Sequence, residues 1–496
     1  MHFSTMHFNT MHFKDILYVS DGKMRRADIV VEGDYISRIT DKEEVSSFNF
    51  HLSTFNFQLL LPGIIDDHVH TREPGLTHKG DLATETHAAA AGGVTSIMDM
   101  PNVVPQTTTL ETLVDRQQRA ADHAFVNYAF HFGVTNSNLD QIPQLDPTAV
   151  PALKLFMGSS TGNMLVDRED VLDALFAQPS PLPIMAHCED TSIIQRNMQR
   201  AVEQYGDDPE VRHHSEIRSR EACFASSRRA VQLSQKHHRR LHIAHISTVE
   251  ELELIDKGRW AMDNERSTSY YSQFTVDNSS SARRANSGEQ LAPQSALVSV
   301  GFPDGEPVTL EACLPHLLFC DEDYARLGTR IKCNPAVKTA ADRAALRAAL
   351  RDGRISVIAT DHAPHLLTEK QGGCRRAASG IPMVQFSLVA MLELMEQGVI
   401  TLPEMVQLMC HNPARIFGIR NRGYIREGMK ADLVLVKRKP WQLAARDIVS
   451  PCGWSPLEGQ TFHWQVAQTY CNGRLIYNKG VFADGNRHAQ ALRFRV

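Results

Sequence analysis

The sequence predicts an α/β protein in which a (β/α)8 TIM-like barrel carries a small β-sandwich domain built from both chain ends. The barrel is indicated by short apolar runs of strand length, such as ALKLFMG, PIMAHCED and ISVIATDHAP, which alternate with helical segments rich in Ala, Leu, Arg and Glu. That alternation is typical of βα units around a parallel sheet. Seven or eight such units over roughly 350 residues fit an eight-stranded barrel with insertions.

Both ends of the chain contain short β-like runs separated by turn residues. DILYVS, ADIVVEG and YISRI stand near the start, and ADLVLVK and VAQTYCNGRLIYNKG stand near the end. We expect these stretches to meet in one β-sandwich beside the barrel. A Met-His-Phe repeat opens the chain, and one internal stretch is polar and rich in Ser and Asn, which is typical of a mobile surface loop. The predicted division is a disordered leader at 1–13, β-sandwich at 14–61, barrel at 62–414 with a mobile insertion at 262–296, and β-sandwich again at 415–496.

Composition narrows the class of protein. The 496 residues are 42% hydrophobic, which suffices for a large core, and the net charge of −5 is mild for this length and favours no nucleic-acid partner. No apolar run approaches the roughly 20 residues that a membrane helix needs, and the start lacks the pattern of a secretion signal. The nine cysteines form no CxxC pair, which suits reduced thiols. We therefore expect a cytoplasmic enzyme with a small-molecule substrate.

The stretch IIDDHVHTREPG places His68 and His70 at the end of a predicted strand. Residues two apart in a strand point to the same face, so the two imidazoles project side by side. Further polar residues lie in or just after other apolar strands, at the end of the barrel where this fold carries its active sites. They are Lys154, His187, His245 and Asp361. Taken singly, each has an ordinary alternative: a hydrogen-bonded core histidine, a lysine at the rim, or a helix-capping aspartate. One metal centre explains all of them together.

Four imidazoles and one carboxylate suit zinc or a similar divalent cation. Two such ions would need a bridging anion to reduce their mutual repulsion. Lys154 would supply that anion if its amine took up carbon dioxide to form a carbamate. A neutral Lys154 at the barrel rim is the alternative.

These residues and their order resemble the amidohydrolase superfamily, and within it the cyclic-amide hydrolases. The likeness runs from about Asp15 to Phe482, and the motifs HVHTREPG, MDMPNVVPQT, KCNPAVKT and ATDHAPH are most similar to those of the dihydroorotase family. The resemblance implies a homodimer with two zinc ions, or other divalent ions, per chain. By it, His68, His70 and Asp361 bind one metal, His187 and His245 bind the other, and carboxylated Lys154 and a hydroxide bridge them.

The same resemblance implies the substrate and its contacts. Dihydroorotate carries an exocyclic carboxylate, which a planar guanidinium such as that of Arg72 can bind with two hydrogen bonds. Asn102 and His365 complete the implied carboxylate site, and Asp361 is the implied catalytic base and acid. Asn334, Ser379 and Gly380 are implied contacts of the substrate. The ordinary alternatives are a surface ion pair for Arg72, a turn for Asn102 and a helix cap for Asn334.

Two other functions stay open at this stage. An allantoinase or a dihydropyrimidinase (hydantoinase) would use the same metal centre on a neutral ring, which has no need of Arg72. A non-catalytic scaffold of the same fold would be expected to lose some of the metal ligands, whereas this chain keeps them all. We expect reversible hydrolysis and cyclisation between dihydroorotate and carbamoyl aspartate, as in pyrimidine synthesis.

Overall fold

The computed structural model describes residues 10–45, 58–158, 164–255, 308–483 and 488–494. The predicted insertion at 262–296 and residues 1–9 of the predicted leader lie outside these ranges.

Strands supply most of the framework of the described residues. In chain order they are β1 Thr10–Ser20, β2 Lys23–Glu32, β3 Tyr35–Val45, β4 Gln58–Pro62, β5 Ile64–Val69, β6 Val94–Asp99, β7 Asn127–Phe130, β8 Phe132–Gly133, β9 Leu153–Phe156, β10 Ile184–His187, β11 Leu241–Ile243, β12 Val308–Cys313, β13 Val357–Ala359, β14 Leu433–Gln442, β15 Thr461–Cys471, β16 Arg474–Asn478 and β17 Val481–Phe482.

Helices connect and cover the central strands. They are α1 Leu82–Ala91, α2 Leu110–His123, α3 Glu169–Ala177, α4 Thr191–Tyr205, α5 His214–Ile217, α6 Arg220–His237, α7 Val249–Leu252, α8 Leu314–Leu318, α9 Tyr324–Leu327, α10 Ala340–Ala349, α11 Ser387–Glu396, α12 Leu402–Val406 and α13 Asn412–Phe417. In the part of the chain that the structure describes, no helix is both long enough and apolar enough to cross a bilayer.

The central strands are parallel. β5, β6 and β7 form one sheet, and β8 to β13 form a second in sequence order. Only His131 separates β7 from β8, and a parallel bridge joins Val69 at the end of β5 to His362 just after β13. Every residue of β5 and β6 is buried, as expected for parallel strands covered on both faces. The predicted α/β class with parallel strands is confirmed, and the carboxyl ends of these strands lie on one side.

The two chain ends meet in one eight-stranded sheet, whose order is β17-β16-β15-β14-β4-β1-β2-β3. β14 pairs with β4 in antiparallel register, Leu433 opposite Pro62. Residues 10–13 were predicted as leader, but they begin β1 instead. The reason is packing, because the partly buried side chains of Met11 and Phe13 lie against the core on one face of this sheet.

The last described segment, 488–494, returns to the parallel strands, although we assigned it to the β-sandwich. Leu492 N–H donates to Tyr128 O at 2.8 Å, and Phe494 N–H donates to Thr148 O at 3.0 Å. The side chains of Leu492 and Phe494 are buried in a cluster with Ile65, Met185 and Val357, which belong to β5, β10 and β13. Burial of these two apolar side chains therefore stabilises the segment against the parallel strands rather than against the terminal sheet.

Candidate metal centre and active site

The structure brings the predicted site residues to one cavity at the carboxyl ends of the parallel strands. Its volume is about 840 Å³. Among the residues that line it are His68, His70, Arg72, Asn102, His187, His245, Asn334, Asp361, His365, Ser379 and Gly380. Lys154 is the one predicted site residue outside this lining, and it lies fully buried within β9.

His68, His70 and Asp361 form the first half of the cluster. Asp361 Oδ1 lies 3.1 Å from His70 Nε2 and 3.4 Å from His68 Nε2. Ligand atoms of the three residues lie within 4.8 Å of one another, which is close enough to share one metal ion. Burial lowers the pKa of His70 to about 4, so its imidazole is neutral and can act as a ligand.

His187 and His245 form the second half. His187 Nδ1 lies 2.9 Å from His245 Nε2, and the ring centroids of His68 and His245 are 5.2 Å apart, so the two halves adjoin. Burial lowers the pKa of His187. Burial and the nearby imidazole of His187 hold the pKa of His245 well below its ordinary value. Both rings are therefore available as neutral ligands.

The amine of Lys154 is buried beside the cluster without a hydrogen-bond partner in the described part of the chain. Burial lowers its pKa, against the opposing charges of Glu311 and Asp361. Its Nζ lies 5.2 Å from the centre of the Phe156 ring. A buried amine with no partner is costly, and burial favours its neutral form.

Three outer residues determine which ring nitrogens face the cluster. Glu311 Oε1 accepts a hydrogen bond from His68 Nδ1 at 2.9 Å, and Asn102 Oδ1 accepts one from His70 Nδ1 at 2.8 Å. Glu189 Oε2 accepts one from His187 Nε2 at 2.8 Å.

With those protons placed outward, the remaining nitrogen of each ring turns a lone pair toward the cluster and the Asp361 carboxylate. Such lone pairs repel one another unless a cation lies among them. The residues present therefore fit a divalent metal centre.

Sequence reasoning missed Glu189 and Glu311. Both are fully buried, and Arg218 Nε donates to Glu189 Oε1 at 3.0 Å. The available signals were a carboxylate inside the apolar run VTLEAC and another two residues after His187. Neither signal tells which histidine the carboxylate would contact.

A second buried acid–base cluster lies behind the first. His242 Nε2 is 3.4 Å from Asp67 Oδ2 and 3.5 Å from Glu311 Oε2. Burial alone would lower the pKa of His242, but the adjacent carboxylates of Asp67 and Glu311 outweigh burial and raise it to about 9. A protonated His242 therefore holds the carboxylate that orients His68.

Arg72 presents a buried guanidinium to the cavity. Its Nε donates to Pro364 O at 3.1 Å, and one terminal nitrogen lies 3.2 Å from His365 Nε2. Among the described residues no carboxylate lies within ion-pair distance of Arg72. Lys79 Nζ lies 3.2 Å from His365 Nδ1, so a second cation borders the same corner. Glu369 Oε1 pairs with Lys79 Nζ at 2.9 Å, so Arg72 is the cation of this corner that has no carboxylate partner among the described residues, and it is suited to an anion from outside the protein.

Three site residues adopt left-handed backbone conformations that residues other than glycine seldom take. Their φ angles are +73° for Arg72, +41° for His245 and +47° for Asp361. Such strain persists only where the surrounding structure enforces it, and it concentrates at functional sites. The left-handed conformation therefore sets the direction of each side chain just beyond the end of its strand.

The remaining predicted residues form the cavity wall. Asn334 Oδ1 lies 3.1 Å from His214 Nε2. Lys370 Nζ donates to the carbonyls of Lys332, Ala378 and Gly380 at 3.1, 2.8 and 2.8 Å. These bonds tie the loop of Ser379 and Gly380 to the segment that precedes Asn334.

Comparisons with known proteins identify relatives of this chain. A sequence profile of the amidohydrolase family matches residues 59–476. The chain is 31% identical over 448 residues to a dihydroorotase of Methanosarcina mazei, covering 88% of each chain. It is 30% identical to a dihydroorotase of Halobacterium salinarum, covering 93% of this chain and 95% of the relative.

Solved structures share the fold. An L-hydantoinase (dihydropyrimidinase) from Arthrobacter aurescens superposes with a TM-score of 0.80 at 22% identity, covering 97% of this chain and 98% of that one. A dihydropyrimidinase from Brevibacillus agri superposes with a TM-score of 0.76 at 19% identity, covering 95% and 96%. At these identities the likeness concerns the fold alone.

Proposed function

This chain belongs to the amidohydrolase family, and we propose that it is a dihydroorotase, a metal-dependent cyclic amidohydrolase. It interconverts L-dihydroorotate and N-carbamoyl-L-aspartate in de novo pyrimidine (UMP) synthesis. The same groups serve hydrolysis and cyclisation, and pyrimidine synthesis needs cyclisation.

The buried guanidinium of Arg72 is the observation that carries this choice of substrate. A buried cation without a carboxylate partner is costly unless a ligand supplies the opposite charge. The exocyclic carboxylate of dihydroorotate supplies it, whereas neutral hydantoin and dihydropyrimidine rings do not. The side chain of His365 lies beside Arg72, and that of Asn102 lines the same cavity; both would complete the carboxylate site.

Two divalent cations, zinc or a similar ion, are the proposed cofactors. His68, His70 and Asp361 would hold one, and His187 and His245 would hold the other. Lys154 would bridge them after carboxylation by carbon dioxide, a reaction that requires the neutral amine favoured by its burial. When bound, the metal ions would polarise the ring amide carbonyl and lower the pKa of water.

Asp361 is the proposed catalytic acid and base. Its carboxylate would accept the proton of the attacking water and return it to the departing ring nitrogen. Arg72, Asn102 and His365 would hold the substrate carboxylate. Asn334 and the loop of Ser379 and Gly380 would contact the ring. The reverse reaction uses the same proton path.

The wider setting follows from the same proposal. The parallel strands β5 to β13 would close into a (β/α)8 barrel, since the bridge between Val69 and His362 joins the first strand to the last. The terminal sheet would form the sandwich-like companion domain. A cytoplasmic homodimer with no nucleic-acid or membrane partner is the proposed state.

The decisive experiment compares substrates. The zinc-loaded protein is assayed with dihydroorotate, allantoin, hydantoin and dihydrouracil under identical conditions. We expect kcat/KM for dihydroorotate to exceed the others by at least about tenfold, because a charge-assisted hydrogen bond at Arg72 contributes about 1.5–3 kcal/mol. A preference for any neutral ring would overturn the proposal in favour of an allantoinase or dihydropyrimidinase. No turnover of any of the four would favour a scaffold.

A further inference from the structure

The turn after β5 carries two site residues of different kinds within three positions. His70 belongs to the candidate metal centre, Arg72 presents its guanidinium to the cavity, and Thr71 lies between them. Thr71 is fully buried, so its hydroxyl needs a hydrogen-bond partner inside the protein. That partner lies on β6, the strand that pairs with β5.

The partner is Asp99, the last residue of β6, which is fully buried as well. Asp99 Oδ1 accepts the backbone N–H of Thr71 at 3.1 Å, and Asp99 Oδ2 accepts the Thr71 hydroxyl. One carboxylate therefore binds both the backbone and the side chain of the residue that separates His70 from Arg72. Two bonds to one residue fix the orientation of the turn as well as its position.

Arg116 on α2 holds the Asp99 carboxylate in place. Its guanidinium is buried and pairs with Asp99 Oδ2. Burial lowers the pKa of Arg116, and the charge of Asp99 opposes that effect. The guanidinium also donates to Met100 O at 2.8 Å and to Thr107 Oγ1 at 3.2 Å. Thr71 is therefore bound by a buried ion pair whose two members are both fixed by further contacts.

This support is needed because Arg72 has a φ angle of +73°, in the left-handed region. A residue with a side chain adopts that region at a cost and only where its surroundings enforce it. The segment after β13 holds one side of the turn, since His70 N–H donates to His362 O at 2.8 Å. Arg72 Nε donates to Pro364 O of the same segment at 3.1 Å. The bonds from the end of β6 hold the other side.

We propose that Thr71 and Asp99 are a positioning pair for the substrate carboxylate site. Their two hydrogen bonds hold the turn in the conformation that directs the Arg72 guanidinium into the cavity. Neither of the pair is among the described residues that line the cavity, so both act through Arg72 and not on the substrate. The inference rests on the proposed function in one respect, namely that the ligand of Arg72 is the carboxylate of dihydroorotate.

Three substitutions test the pair. Thr71→Val has the shape of threonine without the hydroxyl, and Thr71→Ser keeps the hydroxyl and loses only a methyl group. Thr107→Val is the matched control, because it removes a buried hydroxyl that contacts Arg116 without touching the turn. Asp99 is left unaltered, since its loss would leave the buried charge of Arg116 unpaired and destabilise the fold.

The first measurement uses the zinc-loaded protein without substrate. Hydrogen–deuterium exchange is followed in peptides that cover residues 69–76. We expect exchange there to be about tenfold faster in Thr71→Val than in the unaltered protein, because the turn loses a hydrogen bond to a charged group. Thr71→Ser and Thr107→Val should match the unaltered protein within about twofold. Equal exchange in Thr71→Val and the unaltered protein would overturn the proposed hold on the turn.

Kinetics with dihydroorotate supply the second measurement. A guanidinium that binds the substrate carboxylate equally in the ground state and the transition state contributes to KM and not to kcat. We expect Thr71→Val to raise KM about 10–100-fold, with kcat and zinc content within about threefold of the unaltered protein. Thr71→Ser should restore KM to within about threefold of the unaltered value. Equal KM values in Thr71→Val and Thr71→Ser would overturn the proposal, because the hydroxyl would then have no effect.

Failure to fold and failure of the proposed function are distinguished from failure of this inference. If Thr71→Val does not fold, Thr71→Ala replaces it in the same comparison with Thr71→Ser. The exchange measurement contains no substrate, so it tests the hold on the turn even if another ring is the substrate. No turnover of dihydroorotate by the unaltered protein would overturn the proposed function and leave the exchange result intact. Faster exchange with an unchanged KM would overturn the role of the pair in substrate binding.

Discussion

Glu311 Oε1 accepts a hydrogen bond from His68 Nδ1 at 2.9 Å, although 243 residues separate the two in the chain. The same oxygen accepts the backbone N–H of His245 at 2.9 Å. One buried carboxylate on β12 thus contacts both halves of the candidate metal centre. Its other oxygen, Oε2, faces His242. Because the pKa of His242 is raised to about 9, the ring is protonated at neutral pH, and its positive charge balances the carboxylate.

Glu311→Gln should weaken metal retention while the fold survives. The amide still occupies the space, but the loss of charge makes it a poorer acceptor for His68 and removes a counter-charge of His242. We expect zinc affinity to fall about 10–100-fold in a chelator competition. Glu458→Gln, at an exposed position, is the control and should change nothing. Unaltered zinc affinity in Glu311→Gln would remove Glu311 from the metal centre.

Asp361→Asn should nearly abolish turnover, because the amide cannot accept the proton of the attacking water. The measurement is kcat for dihydroorotate, with zinc content determined in the same sample since Asp361 is also a proposed ligand. Retention of more than about a tenth of the unaltered rate would exclude Asp361 as the base.

Arg72→Met should affect anionic substrates selectively. Removing the guanidinium costs the ion pair with the substrate carboxylate, so KM for dihydroorotate should rise at least about tenfold. Arg72→Lys keeps the charge but not the planar fork, and an intermediate KM is expected. Equal KM values across the three proteins would mean that the carboxylate binds elsewhere.

The His242 cluster should make the stability of the metal-free protein depend on pH. The pKa of His242 is raised to about 9 from an ordinary value of about 6.5. Its contribution is therefore fully present below about pH 6.5 and is lost as pH rises through about 9. Urea unfolding between these values should show a steeper fall in stability for the unaltered protein than for His242→Gln. If the stability of the two proteins changed with pH in the same way, His242 would not be protonated in the folded state.

Phe494→Ala should destabilise the protein through the core of the parallel strands. The side chain is buried beside Ile65 and Val357, and deleting a buried aromatic ring typically costs about 3–5 kcal/mol. Thermal unfolding of the metal-loaded protein measures the effect. Val481→Ala, in the terminal sheet and 68% exposed, is the control and should stay within about 0.5 kcal/mol. A Phe494→Ala protein as stable as this control would show that the segment contributes nothing.

The local pattern of the chain was sufficient to predict the α/β class, the parallel strands and the six candidate residues of the metal centre. Apolar runs of strand length specify buried strands, and a polar residue at the end of each run is carried to the same side of the sheet. Asp361 was predicted in this way, and Arg72 and Asn102 were predicted from the family resemblance. The positions of their functional atoms were not.

By itself the sequence determined which polar side chains follow the buried strands, because strand length and the alternation of strands with helices can be read from local patterns. Only the tertiary structure decided that Glu311 orients His68, that Asn102 turns its oxygen to His70, that residues 10–13 begin β1, and that residues 488–494 pack against the parallel strands. Those contacts link segments far apart in the chain. They depend on the packing of the whole fold, which no local pattern encodes.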